Sequence, residues 1–389
     1  MILFRFPLQN AYRYKISTSF QHSFRNLNTK AKRITRLETA TKDNMWTLPI
    51  HVHHPPKEVL SQTPILFICG WAGAGTTDFG ALPKIIASKT KRNVITYDTR
   101  GLGNSKPLYS KDELETCPSN DLSLDTLTED VFSIIDLYYD ELGIDMETDD
   151  LKEFCVGGFS FGGLVSQKIA HDLHGNDPSA ISTQNKNYKI SSMTLVSSLP
   201  LLLNKNIDLM PEDNRVESKH FLATFDNFNK EDDKYKSAKK FFDALGKDFL
   251  SRPGREKLRD KLVTSFLESR DEFVNGIGLE WIQAQRRILL HHSNILGDEK
   301  DCTMNLSTHF DLNGIRNIPT CIIHGKEDNI IPIQHASSLH LTFGQNISKD
   351  NYKNQLHILE ECDHFSWITH GQDLCLIFDG FLSTIGSRE

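Results

Sequence analysis

The sequence predicts an α/β fold in which a mostly parallel central sheet is flanked by helices and carries an inserted helical cap. Short, nearly continuous apolar runs alternate with stretches of helical period along the chain, and such runs are typical of strands buried on both faces of a parallel sheet. The segment 200–314 breaks this alternation with charge-rich, helix-patterned sequence. Alternating elements with one long helical interruption indicate a single sheet with an insertion.

The strands and helices can be placed in chain order. The apolar runs predict strands over Met45–His53, Pro64–Cys69, Asn93–Tyr97, Phe154–Gly158, Ile190–Ser197, Pro319–His324 and Gln355–Leu359. Helical spacing predicts helices over Phe79–Ser88, Leu124–Leu142, Leu164–Leu173, His335–Phe343 and Leu374–Leu382. Because ligands of such sheets bind beyond the carboxyl ends of the strands, functional residues are expected in the loops that follow them.

Four segments follow from this pattern. They are a basic amino-terminal segment (1–40), the first part of the α/β core (41–199), the helical cap (200–314) and the second part of the core (315–389). We expect the cap to lie over the functional edge of the sheet, where it would shape a substrate site. An extra helical layer with no role in substrate binding is the alternative.

The amino-terminal segment differs in composition from the rest of the chain. Residues 1–37 contain no Asp or Glu but carry several Arg and Lys residues among Ser, Thr and aromatic residues. This composition is typical of an organelle transit peptide and predicts a mitochondrial protein. The alternative is a disordered basic tail on a cytoplasmic protein.

The composition also disfavours several functional classes. With 44 basic and 51 acidic residues the formal charge is −7, which does not favour nucleic-acid binding. No apolar run approaches the roughly 20 residues of a transmembrane helix. The seven cysteines are odd in number and lack C-x-x-C spacing, so we expect reduced thiols. His51 and His53 share a strand face without a carboxylate or thiol partner, and neither a metal nor a cofactor is predicted.

The most informative motif is Gly158-Phe159-Ser160-Phe161-Gly162, which lies between a predicted strand and a predicted helix. A serine on such a sharp turn needs neighbours with almost no side chain, which Gly158 and Gly162 provide. The turn lifts the Ser160 hydroxyl clear of the sheet. It also directs the first N–H groups of the helix toward the same point, where an oxyanion would develop. We therefore predict Ser160 as a nucleophile and the backbone N–H of Phe161 as an oxyanion donor.

A serine nucleophile needs a base, and the base needs an orienting acid. Asp328 follows the predicted strand Pro319–His324, and His364 follows the last predicted strand. Their order after the serine, acid and then histidine, favours His364 as base and Asp328 as its partner. Glu327 is the alternative acid if the loop register differs by one residue. His324 is interpreted as a strand-end histidine.

A second oxyanion donor is expected in the loop after an early strand. The strand Pro64–Cys69 leads into Gly70 and Trp71. Gly70 allows close backbone approach, and the backbone N–H of Trp71 is the predicted donor. The Trp71 indole would help to wall the substrate pocket, with simple core packing as the alternative.

Taken together, these segments resemble the alpha/beta-hydrolase superfamily, in particular its alpha/beta-hydrolase-1 type, from about Leu48 to the end of the chain. The run Asp98-Thr99-Arg100-Gly101-Leu102-Gly103-Asn104-Ser105 matches the family's D-x-R-G-x-G-x-S loop. The resemblance implies that Asp98 and Arg100 are structural residues near the site and form a pair. Cys69 stands where the family usually has histidine. Related epoxide hydrolases and haloalkane dehalogenases carry Asp where this chain has Ser160.

The resemblance implies a serine hydrolase that cleaves an ester-type bond through an acyl-enzyme, without a cofactor. Its partner would be a small-molecule ester or acyl substrate. An acyltransferase, or a lipase or thioesterase, would use the same residues. A non-catalytic binding protein on the same fold is a further alternative. The sequence predicts neither the identity of the substrate nor an oligomeric state.

Overall fold

A computed structural model of the chain describes residues 12–14, 34–56, 63–108, 122–141, 151–174, 187–201, 212–226, 234–268, 277–292, 314–344 and 354–386. The strands are β1 (Tyr12–Tyr14), β2 (Ile34–Ala40), β3 (Trp46–His53), β4 (Ile65–Ile68), β5 (Val94–Tyr97), β6 (Lys106–Pro107), β7 (Lys152–Phe159), β8 (Tyr188–Val196), β9 (Thr320–Gly325) and β10 (Asn354–Leu359).

The helices alternate with these strands. Those of the core are α1 (Leu82–Thr90), α2 (Leu124–Glu141), α3 (Phe161–His174), α9 (Ile333–Gly344), α10 (Ser366–Thr369) and α11 (Gly371–Gly386). Those of the 200–314 segment are α4 (Glu212–Leu222), α5 (Lys234–Leu245), α6 (Lys247–Leu250), α7 (Glu256–Glu268) and α8 (Ile277–His292). Short 3-10 turns cover Ala223–Phe225 and Gly314–Asn317. Within the described ranges, no helix combines the length and the apolar character needed to cross a membrane.

The strands form one sheet in the order β1-β10-β9-β8-β7-β4-β5-β3-β2, and β6 pairs with β3. Pairing is parallel from β1 through to β5 and antiparallel between β5, β3 and β2. The predicted mostly parallel sheet with flanking helices is confirmed. Strand β7, which precedes Ser160, lies in the middle of the sheet. The carboxyl ends of its parallel neighbours meet beside it.

The core explains why the central strands are continuous apolar runs. Along β4, Leu66 and Ile68 pack into the larger cluster on one face of the sheet, whereas Ile65 and Phe67 pack into the cluster on the other face. Successive side chains of a strand point to opposite faces. Both faces of β4 are therefore covered, and alternation with polar residues is absent.

Strand β2 corrects the prediction for the amino-terminal segment. Ile34–Ala40 lies inside the segment 1–40, yet it pairs along its whole length with β3. Its residues alternate between exposed and half-buried positions. Strand β2 therefore lacks the continuous apolar run by which the central strands were predicted. These residues are part of the sheet, so the disordered alternative does not describe them. Tyr12–Tyr14 forms β1 against β10, and residues 1–11 and 15–33 lie outside the described residues.

Helices of the 200–314 segment contact three loops at the carboxyl edge of the sheet. The Ser218 hydroxyl of α4 donates to the Ile330 carbonyl, at 2.8 Å, in the loop after β9. The Phe242 ring of α5 stacks on Phe365, after β10, with centroids 5.8 Å apart. The Ile282 carbonyl of α8 accepts a hydrogen bond from the loop after β4. These described helices therefore lie against the edge at which the predicted site residues are found.

Candidate active site

Ser160 lies in a strained turn between β7 and α3. Its φ angle is 52°, in the left-handed region that costs a non-glycine residue about 1–3 kcal/mol. The Ser160 N–H donates to the Val196 carbonyl, and the Ser160 carbonyl accepts from the Gly163 N–H, both at 2.9 Å. The Ser198 hydroxyl donates to the same carbonyl at 2.9 Å. These bonds hold the turn in its strained conformation.

The glycines beside Ser160 are required by close backbone approach. A Cβ atom at Gly158 would lie 2.1 Å from the Gly162 carbonyl carbon, and one at Gly162 would lie 2.3 Å from the Ile68 carbonyl oxygen. Side chains at these positions would separate the first turn of α3 from β7 and β4. The structural role predicted for both glycines agrees with this geometry.

The structure joins Asp328 and His364. Asp328 follows β9, His364 follows β10, and His364 Nδ1 lies 2.7 Å from Asp328 Oδ2 with both side chains buried. The other carboxylate oxygen of Asp328 accepts from the N–H groups of Ile330 at 3.0 Å and Ile331 at 2.8 Å. The carboxylate is thereby fixed, and its bond to Nδ1 directs the Nε2 side of the imidazole away from Asp328.

The nearby polar residues make their hydrogen bonds to other groups, although His324 Nε2 of β9 also lies 3.5 Å from Asp328 Oδ2. Glu327 is exposed, and its N–H donates to the Cys362 carbonyl at 2.9 Å. Asp363 accepts from the Phe365 N–H at 2.9 Å, and burial raises the pKa of its carboxyl to about 6. His324 Nε2 donates to the Ile331 carbonyl at 2.6 Å, and burial lowers the pKa of that imidazole. Asp328 is therefore the carboxylate that contacts the His364 ring.

The turn at Ser160 lies close to the loop that carries His364 and to the loop after β4. The ring of Phe159, the residue before the nucleophile, lies 4.9 Å from the His364 ring, centroid to centroid. On the other side, a Cβ atom at Gly70 would lie 3.3 Å from the Ser160 Cβ. Ser160 itself is 8% exposed. The turn that carries Ser160 thus lies against the loop after β4, and the residue before Ser160 lies against His364.

The two predicted oxyanion donors lie at the ends of neighbouring strands. Phe161 is the first residue of α3, so its N–H belongs to the first turn, where helical N–H groups lack acceptors within the helix. Trp71 follows β4, in a turn closed by a hydrogen bond of 3.0 Å from the Gly73 N–H to the Gly70 carbonyl. The Trp71 indole N–H donates to the Ile282 carbonyl at 3.0 Å. The Trp71 ring is thereby bonded to the cap. The role of the Trp71 backbone N–H as an oxyanion donor stays a prediction.

The similarity of this chain to known proteins identifies its family. The profile described as the alpha/beta hydrolase fold matches residues 63–371. The chain belongs to the alpha/beta hydrolase fold family. Hydrolase is the class of enzyme that this membership indicates. The comparison with curated protein sequences gives no match.

Solved structures of alpha/beta hydrolases share the fold at low sequence identity. A bacterial membrane phospholipase A is 13% identical, with a TM-score of 0.55, covering 91% of this chain and 87% of its own. An esterase from Thermogutta terrifontis is 14% identical, with a TM-score of 0.53 and coverages of 90% and 99%. The 2-hydroxy-6-oxo-6-phenylhexa-2,4-dienoate hydrolase of Rhodococcus sp. strain RHA1 is 14% identical, with a TM-score of 0.54 and coverages of 90% and 100%. These similarities show a common fold.

One family-based expectation needs correction, because Asp98 and Arg100 do not pair with each other. Asp98 accepts hydrogen bonds from the Thr76 N–H at 2.8 Å and the Asn104 N–H at 2.9 Å. Arg100 instead forms a bidentate pair with Asp130 of α2, at 2.7 Å for both contacts. Asp98 and Arg100 each bond a different part of this loop to the core, so the structural role expected of both residues is kept.

The partners of Arg100 were not predictable from the local sequence. Asp130 lies on α2, and a second carboxylate, Asp43, contacts the same guanidinium from the turn before β3. No motif links these positions along the chain. Sequence reasoning also missed Gln285 of α8, whose side chain reaches the loop after β4. In the part of the chain that the structure describes, no group of three His, Cys, Asp or Glu side chains could hold a metal ion.

Proposed function

We propose that this alpha/beta hydrolase is a serine hydrolase that cleaves an ester-type bond through an acyl-enzyme on Ser160. The observation that carries the proposal is the 2.7 Å contact between His364 Nδ1 and Asp328 Oδ2, formed beside a strained serine turn. A buried carboxylate that holds an imidazole near a serine on a strained turn is the arrangement that acyl transfer uses.

In the proposed mechanism, His364 takes the Ser160 proton while the Ser160 oxygen attacks the substrate carbonyl carbon. The N–H groups of Phe161 and Trp71 donate to the oxyanion, a stabilisation worth about 3 kcal/mol for one donor. The proton passes from His364 to the leaving alcohol as the carbon–oxygen bond breaks. Water then attacks the acyl-enzyme, again with His364 as base, and releases the acid.

The side chains around the site favour an apolar acyl group. Phe221 and Phe241 of the cap contact the Trp71 ring at 5.1 and 6.2 Å between centroids. On the histidine side, Phe242 stacks on Phe365. These rings are buried where the cap packs on the loops of the site, and an apolar acyl group would fit beside them better than a charged one.

A panel of p-nitrophenyl esters tests this function and the acyl preference together. From acetate to butyrate we expect kcat/KM to rise about fourfold per methylene, since each buried methylene contributes about 0.8 kcal/mol. An ester of similar length that ends in a carboxylate should be a poorer substrate than the matched alkyl ester. No hydrolysis of any ester above the background rate would contradict the proposal. A competing alcohol acceptor in the same assay would reveal an acyltransferase by its ester product.

The amino-terminal composition supports a second, separate proposal, which is that the protein enters mitochondria. Strand β2 pairs with β3 throughout, so cleavage that keeps this pair would occur before Ile34, and cleavage after Tyr14 would remove β1, which pairs with β10. A fusion of residues 1–33 to a fluorescent protein should therefore colocalise with a mitochondrial marker. A matched fusion with its Arg and Lys residues changed to Gln should stay in the cytosol. Cytosolic fluorescence from both fusions would contradict the proposal.

A further inference from the structure

The side chain of Gln285 leaves the cap helix α8 and enters the loop that carries the predicted oxyanion donor. Gln285 is 1% exposed although it is polar. Its Oε1 accepts from the Ala72 N–H at 3.1 Å, and its Nε2 donates to the Thr99 hydroxyl at 3.2 Å. Because a backbone N–H can only donate, the contact with Ala72 fixes which end of the amide faces the loop.

Ala72 has an unfavourable backbone conformation. Its φ angle is 60°, in the left-handed region that L-residues other than glycine rarely adopt. Such a conformation persists only where its surroundings determine it. The Gly73 N–H bond to the Gly70 carbonyl is one such constraint, and the Gln285 amide is a second. The conformation of Ala72 in turn sets the course of the chain immediately after Trp71.

Helix α8 holds this loop at a second point and is itself anchored in the core. The Trp71 indole N–H donates to the Ile282 carbonyl of the same helix. Trp281 packs edge-on against Trp46 of β3, with centroids 4.9 Å apart. A Cβ atom at Gly101 would lie 2.1 Å from the Trp281 side chain, so α8 sits directly on the family loop. These contacts make α8 a fixed support for the loop after β4.

We propose that Gln285 is a positioning residue that holds the Trp71–Ala72 segment in the conformation that presents the Trp71 N–H to the oxyanion. The inference rests on the proposed serine hydrolase function, because an oxyanion donor has a role only in acyl transfer. It goes beyond that function by assigning part of the catalytic geometry to the cap.

Steady-state kinetics of Gln285→Leu on a p-nitrophenyl ester test the proposal. This change removes the acceptor for the Ala72 N–H while the volume of the side chain is nearly kept. We expect kcat to fall about 10- to 100-fold, because small misplacements of catalytic groups have effects of this size. KM should stay within about threefold of wild type, since a donor that acts in the transition state contributes little to ground-state binding. The unfolding midpoint is measured for every variant, and Gln285→Met replaces Gln285→Leu if the latter does not fold.

The matched control is Thr99→Val, which removes the other hydrogen bond of the same amide but leaves the acceptor for Ala72. Its kcat should stay within about threefold of wild type. Equal losses of kcat in the Thr99 and Gln285 variants, or a change in KM alone, would overturn the positioning role. Wild-type kinetics in Gln285→Leu together with an inactive Ser160→Ala would refute this inference and leave the serine hydrolase intact. An active Ser160→Ala would refute the proposed function and, with it, the role of Gln285.

Discussion

Ser160→Ala should abolish esterase turnover while the protein stays folded. The change removes the attacking oxygen, and loss of a serine nucleophile in such a site lowers kcat by about 10⁵- to 10⁶-fold. The unfolding midpoint should not fall, because the Ser160 backbone bonds to Val196 and Gly163 do not involve the hydroxyl. Initial rates on the best p-nitrophenyl ester, together with a thermal unfolding curve, measure both expectations.

Ser166→Ala is the matched control for this variant. Ser166 is buried on α3, the helix that follows Ser160, and its hydroxyl donates to the Gly162 carbonyl at 2.9 Å. The same Ser→Ala change in the adjoining helix should leave kcat within about threefold of wild type, because that bond is local to the helix. A fluorophosphonate probe should label the wild-type protein and Ser166→Ala but not Ser160→Ala. Ester hydrolysis by Ser160→Ala at the wild-type rate would exclude the serine as nucleophile.

Asp328→Asn should lower kcat by about 10⁴-fold, the loss found when the orienting aspartate of a serine triad becomes an amide. The carbonyl oxygen of the introduced amide could still accept from the N–H groups of Ile330 and Ile331, so the loop should keep its shape. The amide nitrogen, however, would face His364 Nδ1 and favour the wrong imidazole tautomer. The expected variant is therefore folded, able to bind ester, and nearly inactive.

Glu327→Gln is the control for the aspartate variant, because it makes the same kind of change at the adjacent, exposed position. We expect its kcat to stay within about twofold of wild type, as for most surface substitutions. Measured side by side, the two variants decide which carboxylate orients the histidine. A larger loss of kcat in Glu327→Gln than in Asp328→Asn would contradict the assignment drawn from the 2.7 Å contact.

The central fold was predictable because its signals are local. Strand β7 and the turn at Ser160 combine an apolar run with glycines that the structure shows to be in close backbone contact. The loops of Asp328 and His364 follow β9 and β10, whose last residues before the loops are buried. Buried parallel strands leave their pattern in the sequence, and the ends of those strands mark the site.

What the sequence did not reveal depends on contacts between distant segments. Strand β2 is half-exposed, so its pairing with β3 leaves no continuous apolar run. The partners of Arg100 come from α2 and from the turn before β3, and Gln285 reaches Ala72 from the cap. Such pairs are set by tertiary packing, which single-sequence patterns do not encode.

The most direct test of the central claim is to trap the acyl-enzyme. Wild-type protein mixed with a p-nitrophenyl ester and quenched in acid within the burst phase should gain the mass of one acyl group, as covalent catalysis requires. Peptide mapping should place that mass on Ser160, and Ser160→Ala should show no gain. Rapid turnover with no acylated protein under conditions that slow deacylation, or an acyl group mapped to another side chain, would contradict the proposed mechanism.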